Sequence, residues 1–251
     1  MKRYLKGFYM SFGMFCAIPL PFQIWDEKCL NLVLPCFPFV GAFIGVLWWA
    51  ILKLLLLSGI PLLLLSAVAM LIPFIFSGFL HLDGYMDTSD AVLSRRPLED
   101  KLRILKDPHT GSFAVIMLAI LFVLQFAAFL IIAEKNNYLE LLIIIPVISR
   151  CCAAMSVLCL RPMKQSGMAN MFRQNTGAGH KVFITLIFVL AAAFSFFSSG
   201  IKGFIVAVFI MAGFAAALAC TYRDLKGISG DLAGHALVIG ELSGLIVMAV
   251  F

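Results

Sequence analysis

Long apolar runs alternate with short polar segments along the whole chain. The runs fall at about Leu30–Leu57, Ile60–Leu80, Ser112–Ala133, Tyr138–Leu160, Val182–Ser199, Gly203–Tyr222 and Leu232–Phe251. Each is near the roughly 20 residues that a helix needs to cross about 30 Å of hydrocarbon. Backbone inside lipid must satisfy its own hydrogen bonds, so such runs are expected to be helices. The pattern predicts an all-α, polytopic integral membrane helical bundle of about seven transmembrane helices, organised as one domain over residues 1–251. Pro35, Pro38 and Gly41 predict a kink near the start of the first span. The second is expected to continue as helix into the polar stretch that follows it. Residues 1–29 are amphipathic and basic, with Trp25 and several Phe and Tyr, which suits a segment lying on the lipid bilayer. Pro19 and Pro21 would end any helix there.

The polar stretch His81–Gly111 stands out against this background. It holds five of the 19 Lys and Arg and six of the 13 acidic residues. Asp83, Asp87 and Asp90 recur at i, i+4 and i+7, which puts them within an arc of about 60° on one helix face. Like charges at that spacing repel. A hard cation such as Mg²⁺ would turn the repulsion into coordination, since it takes carboxylate and phosphate oxygens. A solvated helix face is the plain alternative. The adjoining apolar span favours function, because ionisable groups beside hydrocarbon are costly and rarely idle.

Composition agrees with the pattern: 63% of residues are apolar and 13% charged, and mean hydropathy is +1.05. The net charge of +6 does not imply nucleic acid, because the basic residues follow membrane topology instead. With seven spans, fifteen of them share a side with the N-terminus and the Asp stretch. The other side has only Lys53, Lys135 and Lys202, and Arg150 lies inside a span. The positive-inside rule then puts the N-terminus and the Asp face in the cytosol. No cleavage signal follows the N-terminus. The seven Cys show no metal or disulfide spacing and read as free thiols.

Further candidate chemistry lies near the same side. Lys106-Asp107-Pro108-His109 precedes the third span and is placed to close over the Asp face. Gly227–His235 is a Gly-rich turn opening the last span, where free backbone N–H groups suit a phosphate; a helix cap by Ser229 or Asp231 is the alternative. Arg150 and Glu241 are intramembrane charges and should face the bundle interior, either pairing together or lining a substrate cavity. His81 and His109 are placed to touch a phosphate or to be ordinary interfacial histidines. Arg95, Lys106 and Arg150 are candidates for phosphate oxygens, and Asp231 or Asp107 for a general base.

The motif His81-Leu-Asp83-Gly84-x-x-Asp87-Thr88-x-Asp90, with Ile104-Leu-Lys106-Asp107-x-His109-x-Gly111, resembles the cobalamin synthase (adenosylcobinamide-GDP ribazoletransferase) family. Gly230-Asp231-x-x-Gly234 with Glu241, Leu34-Pro-x-x-Pro38-Phe-Val-Gly41 and Ile18-Pro-x-Pro21 extend the similarity over nearly the whole chain. Ala91, where many members carry Gly, and His235, where a small residue is usual, depart from the pattern. The resemblance implies a Mg²⁺-dependent enzyme of the bacterial or archaeal cytoplasmic membrane. It would join adenosylcobinamide-GDP to α-ribazole, or its 5′-phosphate, and release GMP. Asp83, Asp87 and Asp90 would hold the metal; His81, Arg95, Lys106, His109, Arg150, Gly230 and Glu241 would bind substrate; Asp231 or Asp107 would take the proton. Oligomeric state stays open. A looser similarity, Asp87-x-x-Asp90-Ala91-x-x-Ser94-Arg95, is to CDP-alcohol phosphotransferases. A transporter would also carry intramembrane charges, but it would place carboxylates near the midplane and often show inverted repeats. Neither feature is visible here.

Overall fold

A computed structural model describes residues 2–163 and 166–251. Lys164, one of the basic residues on the N-terminal side, lies outside the described residues. The described chain is helical: α1 (Arg3–Phe15), a 3₁₀ segment (Glu27–Leu32), α2 (Val33–Leu57), α3 (Leu62–Phe76), α4 (Leu80–Leu93), α5 (Leu98–Ile104), α6 (Ser112–Lys135), α7 (Leu141–Cys159), α8 (Gly167–Arg173), α9 (Ala178–Leu225) and α10 (Gly230–Val250). Five of these, α2 (with its 3₁₀ lead-in), α6, α7, α9 and α10, are long and apolar enough to cross a membrane.

One of the five is two arms. A 48-residue helix would be about 72 Å long, more than twice the hydrocarbon thickness. Gly200 breaks it with φ 62° and ψ −146°. The Ser195 carbonyl then lies where a side chain on Gly203 would be, and Ser195 Oγ donates to the Gly203 carbonyl at 2.7 Å. The chain therefore reverses, and 178–199 and 201–225 form separate arms. With α3 this gives about seven crossings, as the apolar pattern predicts.

The second span departs from expectation. It does not continue as helix into the Asp stretch: α3 and α4 meet at 93°. Gly78 (φ 63°) and Phe79 (φ 59°) both take the left-handed conformation there, which a helix cannot propagate through. The bend swings α4 across the ends of its neighbours, with Gly84 against Asp231 at the start of α10 and Gly111, just before α6, against Asp90. The Asp face thus lies outside the spanning segments, at one end of the bundle.

Polar contacts define the opposite end. Lys135 Nζ donates to the Ala249 and Val250 carbonyls, both at 2.9 Å, satisfying acceptors that the last turn of α10 leaves free. Ser199 Oγ donates to Glu140 at 3.0 Å, and the Lys202 ammonium sits over the Tyr138 and Phe251 rings. Two of the three predicted far-side loops and the end of the last span therefore come together, one helix length from Asp231. Between the two ends, α10 packs most broadly on α9 and α4, and α2 on α7.

Candidate active site at one end of the bundle

The Gly-rich turn before α10 is held in place by backbone bonds. Met163 N donates to the Ile228 carbonyl at 3.0 Å and Ile228 N to the Arg161 carbonyl at 2.9 Å. Gly227 is required at this contact, because a side-chain carbon there would lie 2.7 Å from Met163 N. Ser229 then caps α10, its hydroxyl accepting from Leu232 N at 3.2 Å. This realises the cap reading of the turn and leaves Asp231 in the first helical turn, facing outward.

Asp231 meets the Asp face directly. A side chain at Gly84 would lie 2.8 Å from Asp231 Cα, so only glycine lets α4 approach the start of α10 this closely. Burial first, then the charges of Asp83, Asp231 and Asp90, push the Asp87 carboxyl up to about 6. Among the described residues no Lys, Arg or His forms an ion pair with any of these four carboxylates. No three His, Cys, Asp or Glu side chains among the described residues already converge on a single metal-sized point. The arrangement is therefore a crowded acidic face, not a closed cage.

The segment after α5 closes one edge of this face. The Asp90 carboxylate occupies the space where a Gly111 side chain would be. Changing Gly111→Ala should push that carboxylate aside and leave the helices in place, since the displaced group is a side-chain end. We expect at least about a tenfold loss of turnover with an unchanged thermal melt in detergent; an active Gly111→Ala protein would show that the position of Asp90 is unimportant.

Asp107 and His109 are placed differently. The Asp107 carboxylate accepts from His109 N at 3.0 Å and contacts its Nδ1 at 2.7 Å, both groups in solvent. The His109 amide, then its ring, hold Asp107 below its usual range. Lys106 instead lines a cavity of about 250 Å³, where Ser166, Ser229 and Asp231 add polar groups to walls of Leu102, Leu105, Met163 and Met168. Arg95 is exposed beyond α4 and borders neither cavity described here.

Arg150 and Glu241 pair with each other. The Arg150 Nη1–Glu241 Oε1 distance is 2.5 Å, and the side chains are 1% and 4% exposed. Ser149 Oγ donates to the same carboxylate oxygen at 2.8 Å, and Nη1 also reaches the Pro146 carbonyl at 3.2 Å. The guanidinium stands 5.6 Å from the Phe37 ring. Neither charge lines the two cavities at Asp231. His235 packs the seam behind the site, stacked on Tyr85 at 5.1 Å and 14°. Its Nδ1 lies 3.3 Å from the Tyr85 carbonyl, which only accepts, so that nitrogen carries the proton.

A second cavity, of about 120 Å³ and mostly apolar, adjoins the first and shares Met168, Gly230 and Asp231 with it. His81 lines it with Phe15, Phe37, Met168 and Phe172. Of its lining, the sequence singled out His81, Gly230 and Asp231 as candidate site residues. The aromatic wall comes from α1, α2 and α8, where each residue reads as ordinary packing.

Fold and site define a multi-pass helical membrane protein carrying a carboxylate face, a helix N-terminus and a lysine around one cleft. The chain belongs to the family described as cobalamin-5-phosphate synthase, whose model matches residues 7–249. It is 41% identical over 254 residues to adenosylcobinamide-GDP ribazoletransferase of Clostridium botulinum (strain Alaska E43 / Type E3), covering 100% of both chains. The protein of the same name from Clostridium perfringens (strain SM101 / Type A) is 37% identical over 251 residues, again with 100% of both covered. That of Lachnoclostridium phytofermentans is 32% identical, over 98% of this chain and 94% of its own. No solved structure matches.

Proposed function

We propose that the protein transfers the cobinamide phosphate of adenosylcobinamide-GDP to α-ribazole or its 5′-phosphate, releasing GMP. The observation that carries this is the meeting of Asp231 with the Asp83–Asp90 face beside Lys106, since phosphoryl transfer needs charge neutralisation and in-line positioning above all. The name shared by full-length relatives supports the choice of substrates.

The donor set fits Mg²⁺: carboxylates only, with no ion pair to a cation among the described residues, and with Asp87 pushed up by burial first and then by its acidic neighbours. Asp83, Asp87 and Asp90 would hold it, and the absence of a preformed cage suits an ion that takes substrate phosphates and water for its remaining ligands. Bound there, the metal would offset charge on the attacking and leaving oxygens. Lys106 and the backbone N–H groups of the α10 N-terminus bind phosphate oxygens. The ribazole hydroxyl oxygen bonds to the cobinamide-side phosphorus as the bond from that phosphorus to the GMP oxygen breaks. Asp231 takes the hydroxyl proton. Asp107 serves less well, since His109 stabilises its ionised form and it borders neither cavity. Arg150 and Glu241 act as a buried structural pair, and Arg95 and His109 lie outside the cleft.

The basic residues around the Asp face support a cytosolic orientation for it. A reporter fused after Lys202 should read outside and one after Lys106 inside; the opposite signals would reverse this orientation. Cells lacking their own ribazoletransferase and fed cobinamide should regain cobalamin-dependent growth when given this chain. Growth only with added cobalamin, at verified membrane expression, would count against the assignment.

A further inference from the structure

Metal and phosphate chemistry accounts for the cavity that Lys106 and Asp231 share but not for the more apolar one beside it. Its aromatic side is built from Phe15 and Phe37, with ring centroids 4.3 Å apart, and from His81. The His81 ring lies 6.2 Å from Phe15, inclined by only 26°, and 5.6 Å from Phe37. Phe172 and Ala169 of α8 and Gly234 of α10 complete the walls. His81 also gives this cavity a polar edge. Its Nδ1 would lie 3.7 Å from a side-chain carbon on Gly234, which borders the cavity, while its Nε2 is enclosed with no partner among the described residues. His81 as a whole is 8% exposed.

The walls select among the pieces of the two substrates. A corrin macrocycle is far too large for a space of about 120 Å³. Guanine's edge donors would find only Asp231, which the transfer step uses as proton acceptor, and its edge acceptors only His81, the remaining wall being Leu, Val, Ala, Met and Phe side chains. Ribose and phosphate belong with the polar groups of the larger cavity, Lys106, Ser166 and Ser229. A flat apolar bicycle with one free ring nitrogen matches both the aromatic wall and the single polar edge.

Building on the transferase reading above, we infer that this cavity holds the benzimidazole ring of the ribazole acceptor, with His81 Nδ1–H donating to its free ring nitrogen. Seated so, the base directs its ribose toward the mouth of the cavity, where Asp231 stands between the two cavities. Residue choice along α2, α4 and α8 then sets which lower-ligand base is accepted.

The test compares α-ribazole with an analogue whose free ring nitrogen is replaced by C–H, an indole riboside. Both are presented to the purified full-length protein in detergent, with acceptor KM and equilibrium dialysis as readouts. The wild-type protein should favour α-ribazole by roughly tenfold, the worth of one partly buried hydrogen bond and its unmet partner. His81→Phe keeps a ring and removes the donor. It should bind both acceptors alike, with KM for adenosylcobinamide-GDP unchanged. Equal binding by the wild-type protein, which needs no variant, would overturn the inference, as would discrimination that persists in His81→Phe. GMP release without discrimination would leave the transferase reading standing alone. Discriminating α-ribazole binding without GMP release would do the reverse, and an absence of both would remove both.

Discussion

Asp87→Asn is expected to abolish turnover while leaving a folded protein in the membrane. Asp87 sits at the centre of the acidic face, where Asp83, Asp90 and Asp231 all act on it. The amide keeps the volume and removes the ligand charge. Loss of groups that merely support metal ligands costs ten- to a hundredfold, so loss of a ligand should cost about a hundredfold or more. Asp90→Asn, at the edge of the face, should be milder and appear as a higher Mg²⁺ requirement for GMP release. Near-normal activity of both variants across a Mg²⁺ titration would return the three aspartates to a solvated helix face.

The largest stability effect is expected from Glu241→Ala. It would leave the Arg150 guanidinium, 1% exposed, without its counter-charge inside the bundle. Breaking a buried ion pair from one side costs about 3–5 kcal/mol. For a chain of this size that corresponds to a fall in apparent Tm of roughly 10 °C. Removing both charges together, as Arg150→Leu with Glu241→Leu, should recover much of the loss, because no buried charge is then left unpaired. A melt that Glu241→Ala does not move would show that Arg150 has another partner.

These two sites also show what the sequence made legible. The spans could be read because apolar runs of the right length are imposed by lipid. The carboxylate face could be read because charge beside hydrocarbon is conspicuous, and Arg150 and Glu241 for the same reason, although only coordinates could choose pairing over cavity lining. The right-angle turn after α3 was hidden. Ser77 and Gly78 are unremarkable within an apolar run, and a left-handed Phe79 has no compositional sign. The meeting of Gly84 with Asp231 and of Gly111 with Asp90 depends on that turn, so the need for glycine at both positions emerges only from the packing. The reversal at Gly200 was anticipated as a loop between two runs, although the helix continues almost to the glycine on either side. The apolar cavity was invisible because its walls are Phe, Leu and Ala drawn from distant segments, each of which looks like core.

One reaction tests the central claim, that a single site at one end of the bundle joins adenosylcobinamide-GDP to ribazole. Purified protein in detergent is given adenosylcobinamide-GDP, α-ribazole and Mg²⁺, and GMP and corrinoid products are quantified together. We expect equimolar GMP and cobalamin, lost with EDTA and restored by added Mg²⁺, with Ca²⁺ a poor substitute because of its longer, looser coordination. CDP-diacylglycerol with lipid alcohols should yield no CMP. Failure to form GMP with folded protein and Mg²⁺ both verified, or CMP release in its place, would contradict the account.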